Sequence, residues 1–170
     1  EMAAEMMSGP NASVLTNDDV AVEDSSFTTG RRGVAATVVV EKMVGSLAEM
    51  GGNLEECKKL GDKVNKNSGS MGVAFSSCSV PAAGKPNFEI ADDEMEFGVG
   101  IHGEPGRRRD KIKSAQEITN ELLDAINEDL KPDNNEEILL FVNGMGGTPL
   151  TELYLIFDNA KNILDKKNIK

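Results

Sequence analysis

One segment of this 170-residue sequence gathers residue types that do chemistry: Gly98-Val99-Gly100-Ile101-His102-Gly103-Glu104-Pro105-Gly106 sets four glycines around the single histidine of the chain. Glycine gives up folding entropy, which is tolerated where backbone must turn sharply or come close to a ligand. An imidazole with an ordinary pKa of ~6.5 is mostly neutral at cytoplasmic pH, so one ring nitrogen keeps a lone pair. That nitrogen can take a proton or attack a carbonyl carbon. Isolated histidines are more often structural, and the flanking glycines bring a catalytic or ligand role level with that reading. A metal centre has little support, because one histidine among scattered carboxylates offers neither HExxH nor a thiolate cluster. No GxSxG elbow precedes a helix, so a serine triad is unsupported. His102 is left as acid, base or nucleophile.

Three further groups invite a chemical reading and a plainer one. Asn143-Gly144-Met145-Gly146-Gly147-Thr148-Pro149 could offer backbone N–H groups to an anion at a helix start. It lacks the Walker lysine and departs from GxGxxG, so a tight turn with Thr148 as N-cap and Pro149 at the first helical position is the commoner outcome. Asn17-Asp18-Asp19 could hold Mg²⁺, yet adjacent acids after a strand more often cap a helix or turn. Arg31-Arg32 and Arg107-Arg108-Arg109 could clamp a phosphate, although loop arginines are usually solvated or paired with acids.

The elements that must position these groups follow from periodicity. Residues 12–16 read as a short strand delivering Asn17-Asp18-Asp19 into a long loop over 20–33. Residues 33–50 place Val34, Thr37, Val38, Glu41, Val44, Gly45 and Ala48 at helical spacing and predict a buried helix despite the β-branched run 37–40. Asn53 is placed to cap the next helix, with Glu55-Glu56 in its first turn and an end near Asn67-Ser68-Gly69. Residues 71–75 read as a strand, and Pro81-Ala82-Ala83-Gly84-Lys85-Pro86 as a change of direction. Residues 94–101 alternate polar or glycine with apolar side chains, a strand with one buried face leading into His102. Residues 114–130 form the clearest amphipathic helix, opened by the capping box Ser114-Ala115-Gln116-Glu117 and stopped by Pro132. The apolar run 138–142 suggests a strand covered on both faces, and 149–164 a further helix. Strands alternating with helices make the fold class α/β, with a central sheet of mixed or parallel pairing flanked by helices.

Composition narrows the partners. With 18 basic and 29 acidic residues the formal charge is −11, which repels nucleic-acid phosphates and anionic membrane surfaces. No apolar run approaches the ~20 residues that span a bilayer. Cys57 and Cys78 are the only thiols, too few for a disulfide framework, and no secretory leader is seen, so a soluble protein of the reducing cytoplasm is expected. Both termini look cut: the chain opens in what reads as the middle of a helix and closes on a polar helix end.

Several of these motifs together carry a family likeness. Asn17-Asp18-Asp19-Val20-Ala21-Val22-Glu23-Asp24-Ser25, Thr29-Gly30-Arg31-Arg32-Gly33-Val34-Ala35, Pro81 through Pro86, Gly98 through Gly106 and the stretch from Asn143 to Leu153 resemble, in this order, the substrate-binding subunit of dihydroxyacetone kinases. The resemblance implies a two-domain α/β subunit, typically dimeric, of which residues 1–170 are a partial domain from the middle half. It implies that His102, the histidine of the GIHGEPG segment, forms a hemiaminal with the ketone of dihydroxyacetone and is the catalytic and substrate-binding residue. It implies no cofactor or metal in this chain, with ATP or ADP and Mg²⁺ on a nucleotide-binding partner domain or subunit, and a donor that is ATP or a phosphoenolpyruvate-fed phosphotransferase chain. The family's glycine-rich substrate loop and the aspartate base lie upstream of residue 1, so the piece alone is expected not to turn over. A second class stays open: non-catalytic relatives that bind the sugar and co-activate a transcription regulator. A structural α/β module without ligand is the third.

Overall fold

The computed structural model describes residues 6, 8–23, 30–77, 79, 84–86, 88–101, 104 and 106–170. By contact the chain divides into two units, Glu1–Asp19 with Glu23–Ser70, and Val20–Val22 with Met71–Lys170.

The first unit is built on two helices packed together, α1 (Ala36–Glu49) and α2 (Leu54–Lys66). The β-branched run 37–40 lies inside α1, as its length suggested, but burial is confined to Ala36 and Val40 while Val38 and Met43 are exposed. No neighbouring side chain in sequence caps α1; the buried carboxylate of Asp18 does so from afar, accepting the N–H groups of Val34 (2.8 Å) and Ala36 (3.2 Å). A negative charge at this end also suits the helix dipole. In α2 the expected cap is present as a full box: Asn53 accepts the Glu56 N–H, and the Glu56 carboxylate accepts the Asn53 N–H.

Residues 12–16 are not a strand. Pairing here is limited to a parallel bridge between Asp19 and Ser70, and Leu15 is exposed. The reason is competition by side chains: the Asn65 amide donates to the Leu15 carbonyl (3.0 Å), its oxygen accepts the Asn17 N–H (2.9 Å), and the Thr16 and Thr37 hydroxyls share a hydrogen bond.

The second unit pairs a sheet with two helices, and with the first unit's helices gives the α/β class expected. Three short strands, β1 (Val73–Ala74), β2 (Glu94–Phe97) and β3 (Arg108–Lys111), lie in the order β1-β2-β3 and pair antiparallel, where mixed or parallel pairing was anticipated; the parallel contact among the described residues is the Asp19–Ser70 bridge. Helix α3 (Ala115–Leu130) opens on the Ser114–Glu117 capping box and closes on Lys131 in the left-handed region (φ 49°), just before Pro132. Its stripe serves two cores. Ile118 joins Met95 and Phe97 of β2, with Met71, Val73 and Leu122 beside them. Leu123 joins Ala160, Ile163 and Leu164 of α4 (Leu150–Lys166), with Ile169 and Leu140.

Two expectations in this unit need correction. The run 138–142 forms no strand: the Ile138 N–H donates to the Lys170 carbonyl (2.8 Å), Leu140 packs inward, and Leu139 and Phe141 face solvent, so one face is covered rather than two. Thr148 is not the N-cap of α4, because Pro149 itself is extended (φ −60°, ψ 147°) and takes that place one residue later. No helix among the described residues is long and apolar enough to cross a membrane.

Candidate functional site: the β2–β3 hairpin

His102 lies outside the described residues, with Gly103 and Pro105; the structure describes both legs of the loop whose sequence contains it. The first leg leaves β2, whose Met95 and Phe97 are almost wholly buried and anchor the hairpin in the core. Glu96 points to the other face and is buried too, 8% exposed, so the strand read as having one buried face has two.

Gly98 follows at φ +74°, a conformation that penalises side chains. Its N–H donates to Gly72 (2.7 Å), and a Cβ here would stand 2.6 Å from that of Ala21. Val99 is buried, and the Gly100 N–H donates to the carbonyl of Glu104, itself a buried residue. The second leg returns through Gly106, where a Cβ would fall 2.1 Å from the Phe97 carbonyl oxygen; only glycine allows the legs this close. The Arg107 N–H then donates to that carbonyl (2.7 Å) and β3 begins.

Charged groups tighten the same base. The Glu96 carboxylate accepts the Gly106 N–H (2.8 Å) through one oxygen and meets Arg109 (2.9 Å) through the other. Burial pushes the Glu96 carboxyl up, but the Gly106 N–H and the Arg109 guanidinium together outweigh it and hold its pKa below the ordinary value, so it is ionised at neutral pH. Arg108 stacks over the Phe97 ring, 4.6 Å from its centre, and pairs with Asp110 and Glu121; Lys113 pairs with the same two acids. Thus Arg108 and Arg109 are engaged with acids, the plainer of their two readings.

The other sequence candidates are structural as well. Asp18 caps α1, and Asp19 forms a buried ion pair with Arg32 (2.7 Å), rather than lying together open to a cation. Among the described residues no three His, Cys, Asp or Glu side chains stand close enough to hold a metal. In the 143–148 loop the N–H groups of Gly147 and Thr148 both donate to Gly144, and that of Met145 to the Asn143 side chain, so they are used within the turn. Sequence reasoning missed Glu96. It stood as one more polar residue on an alternating strand, and the available signal was an acid paired across the hairpin with an arginine.

The chain belongs to the Dak1 domain family, which it matches over residues 1–170. It is 44% identical, over its whole length, to the PTS-dependent dihydroxyacetone kinase 1, dihydroxyacetone-binding subunit DhaK, of Listeria innocua, and 40% identical over 93% of its length to the PEP-dependent counterpart of Escherichia coli. It spans about half of these relatives, 53% and 52% of their lengths. Among solved structures, the dihydroxyacetone kinase operon co-activator Dha-DhaQ superposes with a TM-score of 0.81 at 32% identity, covering 91% of this chain and 48% of that one. The dihydroxyacetone kinase of C. freundii superposes at 0.76 and 27%, covering 91% of this chain and 28% of that one.

Proposed function

We propose that the full-length protein is a dihydroxyacetone-binding kinase subunit that captures its substrate covalently on His102 and offers a terminal hydroxyl to a nucleotide-bearing partner. The observation that carries this reading is the similarity, over the whole of this chain, to subunits named for binding dihydroxyacetone, with the one histidine standing in sequence between Gly98 and Gly106, two positions where a side chain would collide with neighbouring atoms. In the proposed step a neutral ring nitrogen attacks the ketone carbon, the C–N bond forms as the C=O π bond breaks, and the oxygen gains the proton that the imidazole gives up, leaving a hemiaminal. Glycerol has the hydroxyls but no carbonyl, so the two are separated by reactivity rather than shape.

The remaining parts of the proposal concern the assembly. The subunit works as a cytoplasmic homodimer, ATP or ADP and Mg²⁺ sit on the partner subunit or domain, and a phosphoenolpyruvate-fed phosphotransferase chain is the favoured donor. The names of the Listeria and Escherichia relatives support that donor, and a C. freundii kinase structure in complex with AMP-PNP and Mg²⁺ supports a nucleotide elsewhere in the assembly. Residues 1–170 alone are expected not to turn over.

Native mass spectrometry of the full-length protein tests the capture. Addition of dihydroxyacetone is expected to raise the mass by one bound sugar, glycerol to leave it unchanged, and His102→Ala to abolish the increase. An adduct that survives in His102→Ala ends the assignment. A second reading, a non-catalytic sugar sensor that co-activates a transcription regulator, is favoured by the higher TM-score to the co-activator, 0.81 against 0.76 for the kinase. Phosphotransfer to dihydroxyacetone in the presence of the nucleotide-bearing partner supports the kinase, and adduct formation without any transfer supports the sensor.

A further inference from the structure

We propose that Glu96 is a positioning residue for the His102 loop: its carboxylate fixes the returning leg by accepting the Gly106 N–H, while Arg109 fixes the carboxylate. This rests on the reading of His102 given above and adds to it a residue outside the glycine motif.

Three observations carry the inference. Glu96 is buried on the face of β2 opposite Met95 and Phe97, so it contributes nothing to the apolar core, and a strand position there could be filled by an apolar residue at no electrostatic cost. Its two oxygens are divided between the loop and the strand, 2.8 Å from the Gly106 nitrogen and 2.9 Å from Arg109. The residue it holds is the one at which a Cβ would meet the Phe97 carbonyl oxygen at 2.1 Å, so no side chain fits there. The first leg has its own fastening, Gly98 to Gly72, and the strand base is closed by Arg107 to Phe97. Between these fastenings the Gly106 N–H is half-buried and donates to the Glu96 carboxylate; without that oxygen it is left to water, and the returning leg loses the charge-assisted bond that ties it to β2.

Full-length protein titrated with dihydroxyacetone and read by native mass spectrometry tests the role, with the melting temperature of each variant recorded alongside. Glu96→Ala is expected to weaken adduct formation by about tenfold or more, the size of a lost charge-assisted hydrogen bond. Glu96→Gln keeps an acceptor for Gly106 and is expected to bring the affinity back to within about threefold of the parent. Arg109→Ala keeps the Gly106 bond but frees the carboxylate, and is expected to fall between the two; it also decides the question, with Glu96→Gln, should Glu96→Ala fail to fold. A Glu96→Ala protein with parental affinity, or Gln and Ala variants equally impaired at equal melting temperature, would overturn the proposal while leaving His102 untouched. A parent that forms no adduct at all overturns the His102 reading instead, and the role of Glu96 falls with it.

Discussion

At the scale of single residues, acids in this chain matter through what they hold. Asp18 caps the start of α1, Asp19 neutralises Arg32, and Glu96 takes Gly106, each from a buried position. The Asp19–Arg32 pair has side chains only 3% and 6% exposed, so breaking it takes a charged partner away from a side chain held out of water. Arg32→Ala is therefore expected to destabilise the protein by about 3–5 kcal/mol, read as a lower urea midpoint. A change below about 1 kcal/mol, the range of surface pairs, would mean that the pair is solvated in solution. These partnerships could not be read from the sequence. Asp18 and its helix are separated by 16 to 18 residues, and nothing in an Asn-Asp-Asp run says which N–H groups it will meet.

At the scale of elements, what was legible was local. The boxes Asn53–Glu56 and Ser114–Glu117 each lie within four residues, so both helix starts could be located before any fold was known. Strands were harder, because a strand exists only where a partner arrives. Residues 12–16 and 138–142 have strand-like composition, yet the side chain of Asn65 occupies the first, and in the second Ile138 donates to the Lys170 carbonyl while Leu140 packs on the helical core, with no strand paired to it among the described residues. The same limit concealed Glu96, since alternation predicts a polar face but not its burial. For the β2–β3 hairpin, the closeness of its legs at Gly106 makes a definite prediction. Gly106→Ala is expected to cost about 1–3 kcal/mol by forcing the Phe97 carbonyl away. Faster hydrogen exchange at the Arg107 amide, which donates to that carbonyl, would report the opening. Unchanged exchange and melting would show that the legs are looser than described.

At the scale of the whole molecule, a charge of −11 coexists with exposed apolar side chains in the second unit, Leu139, Phe141, Leu150, Tyr154 and Leu155 among them. Phe141 and Leu155 also line a groove of about 490 Å³, with Ile118, Leu122 and Leu153. Exposed apolar surface of this kind binds amphiphilic dyes. The 170-residue chain is expected to enhance the fluorescence of such a dye, and Leu139→Ser with Phe141→Ser to reduce it; a parent that gives no enhancement would show these side chains to be covered. The curated relatives are roughly twice as long as this chain, so the proposed substrate chemistry is tested on the full-length protein. The most direct test of the central claim is a carbon NMR spectrum of that protein, labelled with ¹⁵N at histidine and given dihydroxyacetone carrying ¹³C at its ketone carbon. Covalent capture predicts a protein-bound tetrahedral carbon split by a directly bonded histidine nitrogen and absent from His102→Ala. A bound carbon that keeps its carbonyl shift, without that splitting, would contradict it.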